Sequence, residues 1–465
     1  MKKTKLPYDK NSAISIYEYS KEILGCTLRK YIYDGYEPKK GKGSLGQMVE
    51  NLFFLLDTNS NPNPDFQTAG LELKCTPLKL SKDNHYLIKE RLSCNLIDYC
   101  KVVNEKFEES HFYLKCQLML LLFYLYKKDY DNLDLEFIYS VLWMIPEKDL
   151  VVIKQDYITI IDKIKAGKAH LLSEGDTMYL AACRKGQKGE KLTSQPYSEI
   201  GAARRSFCLK MAYMRTILTE VQQSKSNAIS NFEIPKFQLV SKNELLKSTF
   251  DNIIYNRVRS YIGKNYQRIA KKLKLDLSNN PKNKFAIISN AIVSKSTCFN
   301  VNLSEEFKKA GLTMKTIRVK QNGTIKEAMS FENLDYIEIA ECENWYDSRL
   351  YELFSSRFMF VVYREKNLNK EDYVLDNVFF WTMPQDDLIV AEKYWKHIRK
   401  NVLENKISAE YWWKQKDHKY FHVRPKARNS ADLAVTVTGE YVKKYCYWFN
   451  NEYVKQIIDN YNGTK

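Results

Sequence analysis

Glycine and proline are scarce in this sequence, 16 and 11 of 465 residues. That scarcity argues against long disordered or low-complexity tracts. No pair of the ten cysteines has C-x-x-C spacing, so the chain carries neither a short zinc motif nor a dithiol redox motif. The cysteines are scattered in apolar surroundings, as at Cys116 and Cys208. They read as reduced, core-filling thiols of a cytoplasmic protein. Long apolar runs are missing too. The longest, LMLLLFYLY at 118–126, has about half the length of a membrane helix. It reads as a buried strand or helix, and no membrane partner is expected. No apolar signal stretch follows the N-terminal MKKTKLPYDK. Acid is the minority charge: 56 Asp and Glu stand against 73 Lys and Arg. Such a balance suits a polyanionic partner, because each Lys or Arg near a phosphate releases counterions. It equally suits a merely soluble basic protein.

What is present is a repeat. The frame acid, Phe, three residues, Gly, three residues, Lys occurs in PDFQTAGLELK at 64–74 and in EEFKKAGLTMK at 305–315. Further matches follow in order at a spacing that stays close to 240 residues. KERLS at 89–93 meets KEAMS at 326–330, and the apolar run ending at Tyr124 meets FMFVVY ending at Tyr363. WMIPEKDL at 143–150 meets WTMPQDDL at 381–388. CRKGQ at 183–187 meets VRPKA at 423–427, and RSFCLKMAY at 205–213 meets GEYVKKYCY at 439–447. Ordered matches at a drifting but narrow spacing mark duplication and divergence. The expected domains are 1–221 and 250–465, with the polar stretch 222–249 as a linker. Within one copy, SLGQMVENLFFLL at 44–56 has helical spacing and GLELKCT has strand alternation. IIDKIKAG and the segment from Ser206 to Leu218 read as helices. The class is α/β, or mixed α+β.

Asp65, Glu72 and Lys74 form P-D-x6-E-x-K. Two acids brought together from a turn and the next strand can hold a hard divalent cation such as Mg²⁺. Glu72 and Lys74, two apart on a strand, face one side. The ammonium can then stand beside an attacking water and a scissile phosphate, while the metal acidifies that water. Taken alone the pattern also fits a solvated strand face. Glu50 is the one acid of an otherwise apolar upstream helix, where a plain surface position is the alternative.

KGSLGQMVE at 42–50, PDF and AGLELK at 64–74, and SHFYLKCQLMLLL at 110–122 together resemble the MutH-type branch of the PD-(D/E)xK nucleases. HVRPKARNS at 422–430 and GEYVKKYCY are similar to the R-P-K-A segment and the Tyr-x-Lys-Lys helix that this branch sets near the DNA bases. An intact copy followed by a degraded one resembles the Sau-type restriction endonucleases, which cut GATC. The resemblance implies two tandem MutH-like domains, the second degenerate. It implies that Asp65 and Glu72 bind the metal, that Lys74 is the catalytic lysine, and that Glu50 lies near the metal. It gives Lys115 a phosphate-facing role, with a strand-edge lysine as the alternative.

On the same footing Lys42, Arg184, Lys185 and Lys210 of the first copy are expected at DNA. So are Lys315, Arg424, Lys426, Lys443 and Lys444 of the second. In the second copy Glu306 stands for Asp65, Thr313 for Glu72, and the position of Lys115 falls near Phe354. A reader without a cutter is expected, binding a second GATC site as an allosteric effector or surviving only as a packing remnant. The implied activity is a Mg²⁺-dependent type II endonuclease on double-stranded DNA, a monomer in solution and a dimer on DNA. A cognate methyltransferase would share the site. The alternatives are a mismatch-repair nicking enzyme and a non-catalytic GATC-binding regulator.

Overall fold

The computed structural model describes residues 6–33, 36, 44–56, 63–81, 83–185, 191–223, 237–367 and 371–463. The chain divides into two compact units. One is Met1–Lys236 with Lys308–Ala310; the other is Phe237–Phe307 with Gly311–Lys465.

The first unit holds β1 (Glu72–Leu80), β2 (Tyr86–Ile88), β3 (Leu92–Leu96), β4 (Leu118–Leu125), β5 (Phe137–Met144), β6 (Leu180–Arg184), β7 (Thr193–Gln195), β8 (Ser198–Ala202) and β9 (Arg205–Leu209). They form a four-stranded sheet β2-β1-β4-β5, a three-stranded sheet β3-β9-β6 and the hairpin β7-β8. The run LMLLLFYL is the strand β4, parallel to β1 with Glu72 opposite Met119, and antiparallel to β5. A central strand covered on both faces has no polar side to show, which explains its unbroken hydrophobicity. Leu71, Leu73, Leu120 and Leu122 pack with Val49, Leu52 and Phe53 of the upstream helical segment. Each such side chain contributes about 1.5–3 kcal/mol on burial.

The second unit repeats the plan with β10 (Thr313–Val319), β11 (Met329–Asn333), β12 (Arg357–Asn367), β13 (Asp372–Thr382), β14 (Phe421–Pro425), β15 (Leu433–Val435), β16 (Tyr441–Lys443) and β17 (Tyr445–Phe449). Its sheets are β10-β12-β13 and β11-β17-β14, with β15-β16 as the hairpin. β10 runs parallel to β12 with Thr313 opposite Phe358. Gly70 and Gly311, the glycine of the shared frame, both take positive φ, 61° and 65°. L-residues with a Cβ rarely adopt that conformation, so this glycine fixes the turn that launches each strand. The long helices share a start signal as well. Pro146 precedes Glu147–Lys165 with Glu147 and Asp149 in its first turn; Pro384 precedes Gln385–Leu403 with Asp386 and Asp387. Acids there complement the positive helix end.

Four sequence expectations change. Residues 237–249 belong to the second unit rather than to a linker: Ser241 and Glu244 form a capping box on the helix Lys242–Lys247, and Leu239, Val240 and Leu245 are buried. Residues 224–236 lie outside the described residues. Ser206–Leu209 is strand, not helix; the helix begins at Met211. The Tyr-x-Lys-Lys segment is also strand, with Tyr441–Lys443 in β16 and Lys444 alone between it and β17. Finally, the C-terminal registers shift. β9 and β17 each end two residues before a helix, so Arg205–Leu209 matches Tyr445–Phe449 rather than Gly439–Lys443.

Candidate nuclease centre and its altered copy

In the first unit three elements converge at the start of β1. Pro64 and Asp65 lie in the turn before the strand, where the Leu73 amide donates to Asp65 Oδ2 at 2.9 Å. Glu72 opens the strand and is 1% exposed. Lys115 sits in the last turn of the helix His111–Cys116, which Ser110 caps. It is therefore a helix residue, not a strand-edge lysine. Lys74 Nζ donates to Glu72 Oε1 at 2.5 Å, and Lys115 Nζ lies 3.1 Å from the same oxygen. Glu72 Oε2 is buried with no hydrogen-bond partner among the described residues. Such an orphan costs about 1–3 kcal/mol, and more when charged.

Glu50 lies in a π-helical turn, Val49–Phe53, that follows the helix Ser44–Met48. Local π turns recur at functional sites. Burial pushes the Glu50 carboxyl up to about 7, with help from the charges of Asp65 and Glu72 and against Lys74 and Lys115. Burial, then Glu72, also raises Asp65. Burial pulls the Lys74 ammonium down, but its pairing with Glu72 more than offsets this and holds it charged. Carboxylates crowded out of water, with one oxygen unpaired, form a pocket that a cation would relieve. No third His, Cys, Asp or Glu joins this pair in metal-holding geometry among the described residues. Asp65 and Glu72 thus fit a two-acid Mg²⁺ site whose other positions fall to water and phosphate oxygens.

The residues expected at DNA are arranged differently from the sequence pairing. Lys185 N donates to Arg204 O, and Lys426 N donates to Lys444 O. With Leu180 opposite Leu209 and Phe421 opposite Phe449, Lys185 corresponds to Lys426, Arg184 to Pro425, and Arg424 to the buried Cys183. The first unit therefore has no arginine at the Arg424 position. Lys210 is a second correction: it is buried and donates to Thr177 O at 2.5 Å, so it is an interior cation rather than a DNA contact. Lys42 lies outside the described residues. Lys443 is exposed on β16, and Lys444 pairs with Asp432.

The second unit keeps the scaffold and loses the acids. Glu306 does not stand where Asp65 stands. It sits on the helix Glu305–Ala310 and accepts from Leu239 N and Val240 N at 3.0 and 3.2 Å. The structural substitute for Asp65 is Asn302, whose Oδ1 accepts from Met314 N at 2.7 Å, as Asp65 does from Leu73 N. Sequence spacing misses this, because Asn302 precedes the shared frame; the Asn-Val-Asn cap at 300–302 is the signal that could have drawn attention to it. Thr313 replaces Glu72, the helix Lys284–Ser294 carries no acid, and Phe354 ends a helix where Lys115 ends one. Lys315 alone remains. Its Nζ donates to Ser330 O at 2.9 Å and lies 4.9 Å from the Phe331 ring centre. Burial, then the neighbouring Lys426 charge, brings its pKa down to about 8.

Comparison with known proteins agrees with this pairing of units. The profile of the DNA mismatch repair enzyme MutH matches residues 54–156 and again 298–393. The type II restriction enzyme Sau3AI of Staphylococcus aureus is 30% identical over 96% of this chain and 98% of its own length. The chain belongs to the MutH-like, Sau3AI-type nucleases. The DNA mismatch repair protein MutH of Shewanella woodyi is 26% identical over 39% of the chain and 78% of its own length. No helix among the described residues is long and apolar enough to cross a membrane.

Proposed function

We propose that the protein is a type II restriction endonuclease that hydrolyses both strands of duplex DNA at GATC with Mg²⁺. In this reading the first unit cuts and the second binds DNA as an allosteric effector. The observation that carries it is the Glu72 carboxylate: two lysines on one oxygen, none on the other, and Asp65 beside it.

Asp65 and Glu72 would hold the cation. When bound, it acidifies a water and neutralises charge on the phosphorus oxygens. Lys74, held charged by Glu72, faces the position of the attacking water and of the phosphate. Lys115 brings a second positive charge from a separate element, so both ammonium groups are aimed where negative charge develops. Glu50, neutral or charged near pH 7, sets how strongly the pocket draws a cation. In the second unit Arg424 and Lys426 read or grip DNA, and guanine accepts bidentate contacts from such groups. The protein works in the cytoplasm, as a monomer in solution and a dimer on DNA, beside a methyltransferase of the same specificity. Similarity over 98% of the length of a type II restriction enzyme favours restriction over nicking repair.

Plasmid carrying GATC sites, incubated with Mg²⁺, yields discrete linear fragments on this reading. Nicked circles alone would instead support a repair-type enzyme, and a mobility shift without cleavage would support a regulator.

A further inference from the structure

Among the described residues, the second unit contains an arrangement the first lacks. Lys315 Nζ donates to the carbonyl of Ser330, and Lys426 Nζ donates to Ser330 Oγ at 2.9 Å and to Phe331 O at 3.3 Å. Two ammonium groups are thus tied to one residue of β11. Among the described residues neither pairs with a carboxylate. Glu332, whose charge is felt at Lys315, is held by Arg349 through bonds of 2.7 and 2.9 Å. Lys315 is half-buried and its like-charged neighbour is exposed. Arg424 adds a third cation, its guanidinium 4.8 Å from the Trp448 ring centre, with Lys426 5.9 Å from the same ring. Like charges held together away from acid are costly unless an anion answers them.

The register states where this cluster lies. Lys315 occupies the strand position of Lys74, and Thr313 that of Glu72. The first unit's pocket is acidic and fits a cation; the same place in the second is basic and fits an anion. We propose that the second unit binds a phosphate oxygen of duplex DNA between Lys315 and Lys426 above Ser330, with no divalent cation. The backbone phosphate that the first unit would hold through metal is held here by ammonium groups. Lys–phosphate contacts need no special geometry, because ammonium acts as a point charge. The inference rests on the reading that the second unit engages DNA, and it adds the ligand atom and the independence from metal.

The test is amine footprinting of the full chain in EDTA, where no cleavage occurs. Lysines are acetylated under limiting reagent, alone, with inorganic phosphate, or with a GATC duplex, and peptides bearing Lys315 and Lys426 are quantified by mass spectrometry. Phosphate at ten times its dissociation constant should slow acetylation of both about tenfold by mass action, and the duplex should do the same. If phosphate and duplex both leave Lys315 at its free rate, the inference is overturned. Should the duplex protect Lys443 but not Lys315, the second unit binds DNA elsewhere and the inference falls while the wider reading stands. Protection by phosphate with no protection anywhere in the unit by duplex supports the anion site and removes the DNA reading. A Lys315→Met chain that retains protection of Lys426 with unchanged phosphate affinity would also overturn the paired site.

Discussion

Lys74 on β1 and Lys315 on β10 hold the same place on equivalent strands, and their surroundings differ in sign. Lys74 shares a carboxylate with Lys115 beside Asp65 and Glu50. Lys315 has a backbone carbonyl, an aromatic face and another lysine. Three exchanges turn the acidic pocket into its altered copy: Glu72 to Thr313, Asp65 to Asn302 in space, and Lys115 to Phe354. The scaffold hardly registers them, since Asn302 keeps the strand-amide bond that Asp65 makes. Losing charge while keeping a hydrogen bond lets a fold survive the loss of its chemistry.

The largest effect should come from Glu72→Gln. It removes the charge of a buried carboxylate and should cut the single-turnover cleavage rate by about a thousandfold or more, while duplex binding in Ca²⁺ persists. Retained cleavage would break the assignment of the first unit as the cutter. Lys74→Met and Lys115→Met come next, each lowering that rate by about a hundredfold or more with little change in binding. If only one of them matters, the other lysine serves to hold Glu72 rather than to act on phosphate.

Arg424→Ala probes the second unit. Loss of one guanidinium contact is worth about 1–3 kcal/mol, so binding to a second site should weaken about tenfold, read as the ratio of cleavage on two-site and one-site plasmids. Equal ratios in parent and variant would remove the allosteric role.

The pH dependence separates the lysines. With a pKa near 8 in the free protein, Lys315 is mostly charged at pH 7 and mostly neutral at pH 9. A bound phosphate favours the charged form, so binding takes up a proton above pH 8. Retention of DNA by the unaltered chain in EDTA should therefore fall as pH rises through 8, by a few-fold for one phosphate contact. Lys315→Met should flatten that slope. Lys74, held charged by Glu72, should contribute no such step. The smallest effect is expected from restoring acids to the second unit. Asn302→Asp with Thr313→Glu should add weak Mg²⁺ binding there, visible by calorimetry, and no cleavage, because Phe354 supplies no second ammonium.

Much of this was legible in the sequence. Asp65, Glu72 and Lys74 could be placed because strand alternation fixes which side chains share a side, and Glu50 stood out as one acid in an apolar helix. The duplicated frame paired Lys115 with Phe354, as the strand register does. What remained hidden has physical causes. Arg205–Leu209 is buried at every position, and a short apolar run adjoining a helix carries no period of its own. Lys210 looked like a surface cation because no local pattern announces that its ammonium meets Thr177 O across the fold. Asn302 was invisible to spacing, since a short helix separates it from the strand whose amide it receives. Ser330 and Trp448 gained meaning only when β11, β14 and β17 came together.

The central claim, one metal-holding unit and one that holds phosphate without metal, can be mapped directly. Fe²⁺ in place of Mg²⁺, with ascorbate and peroxide, cuts a polypeptide beside its binding site. The account predicts cuts near Asp65 and Glu72, none near Asn302 and Thr313, and loss of the first set in Glu72→Gln. Cuts at both places, or at the second alone, would contradict it.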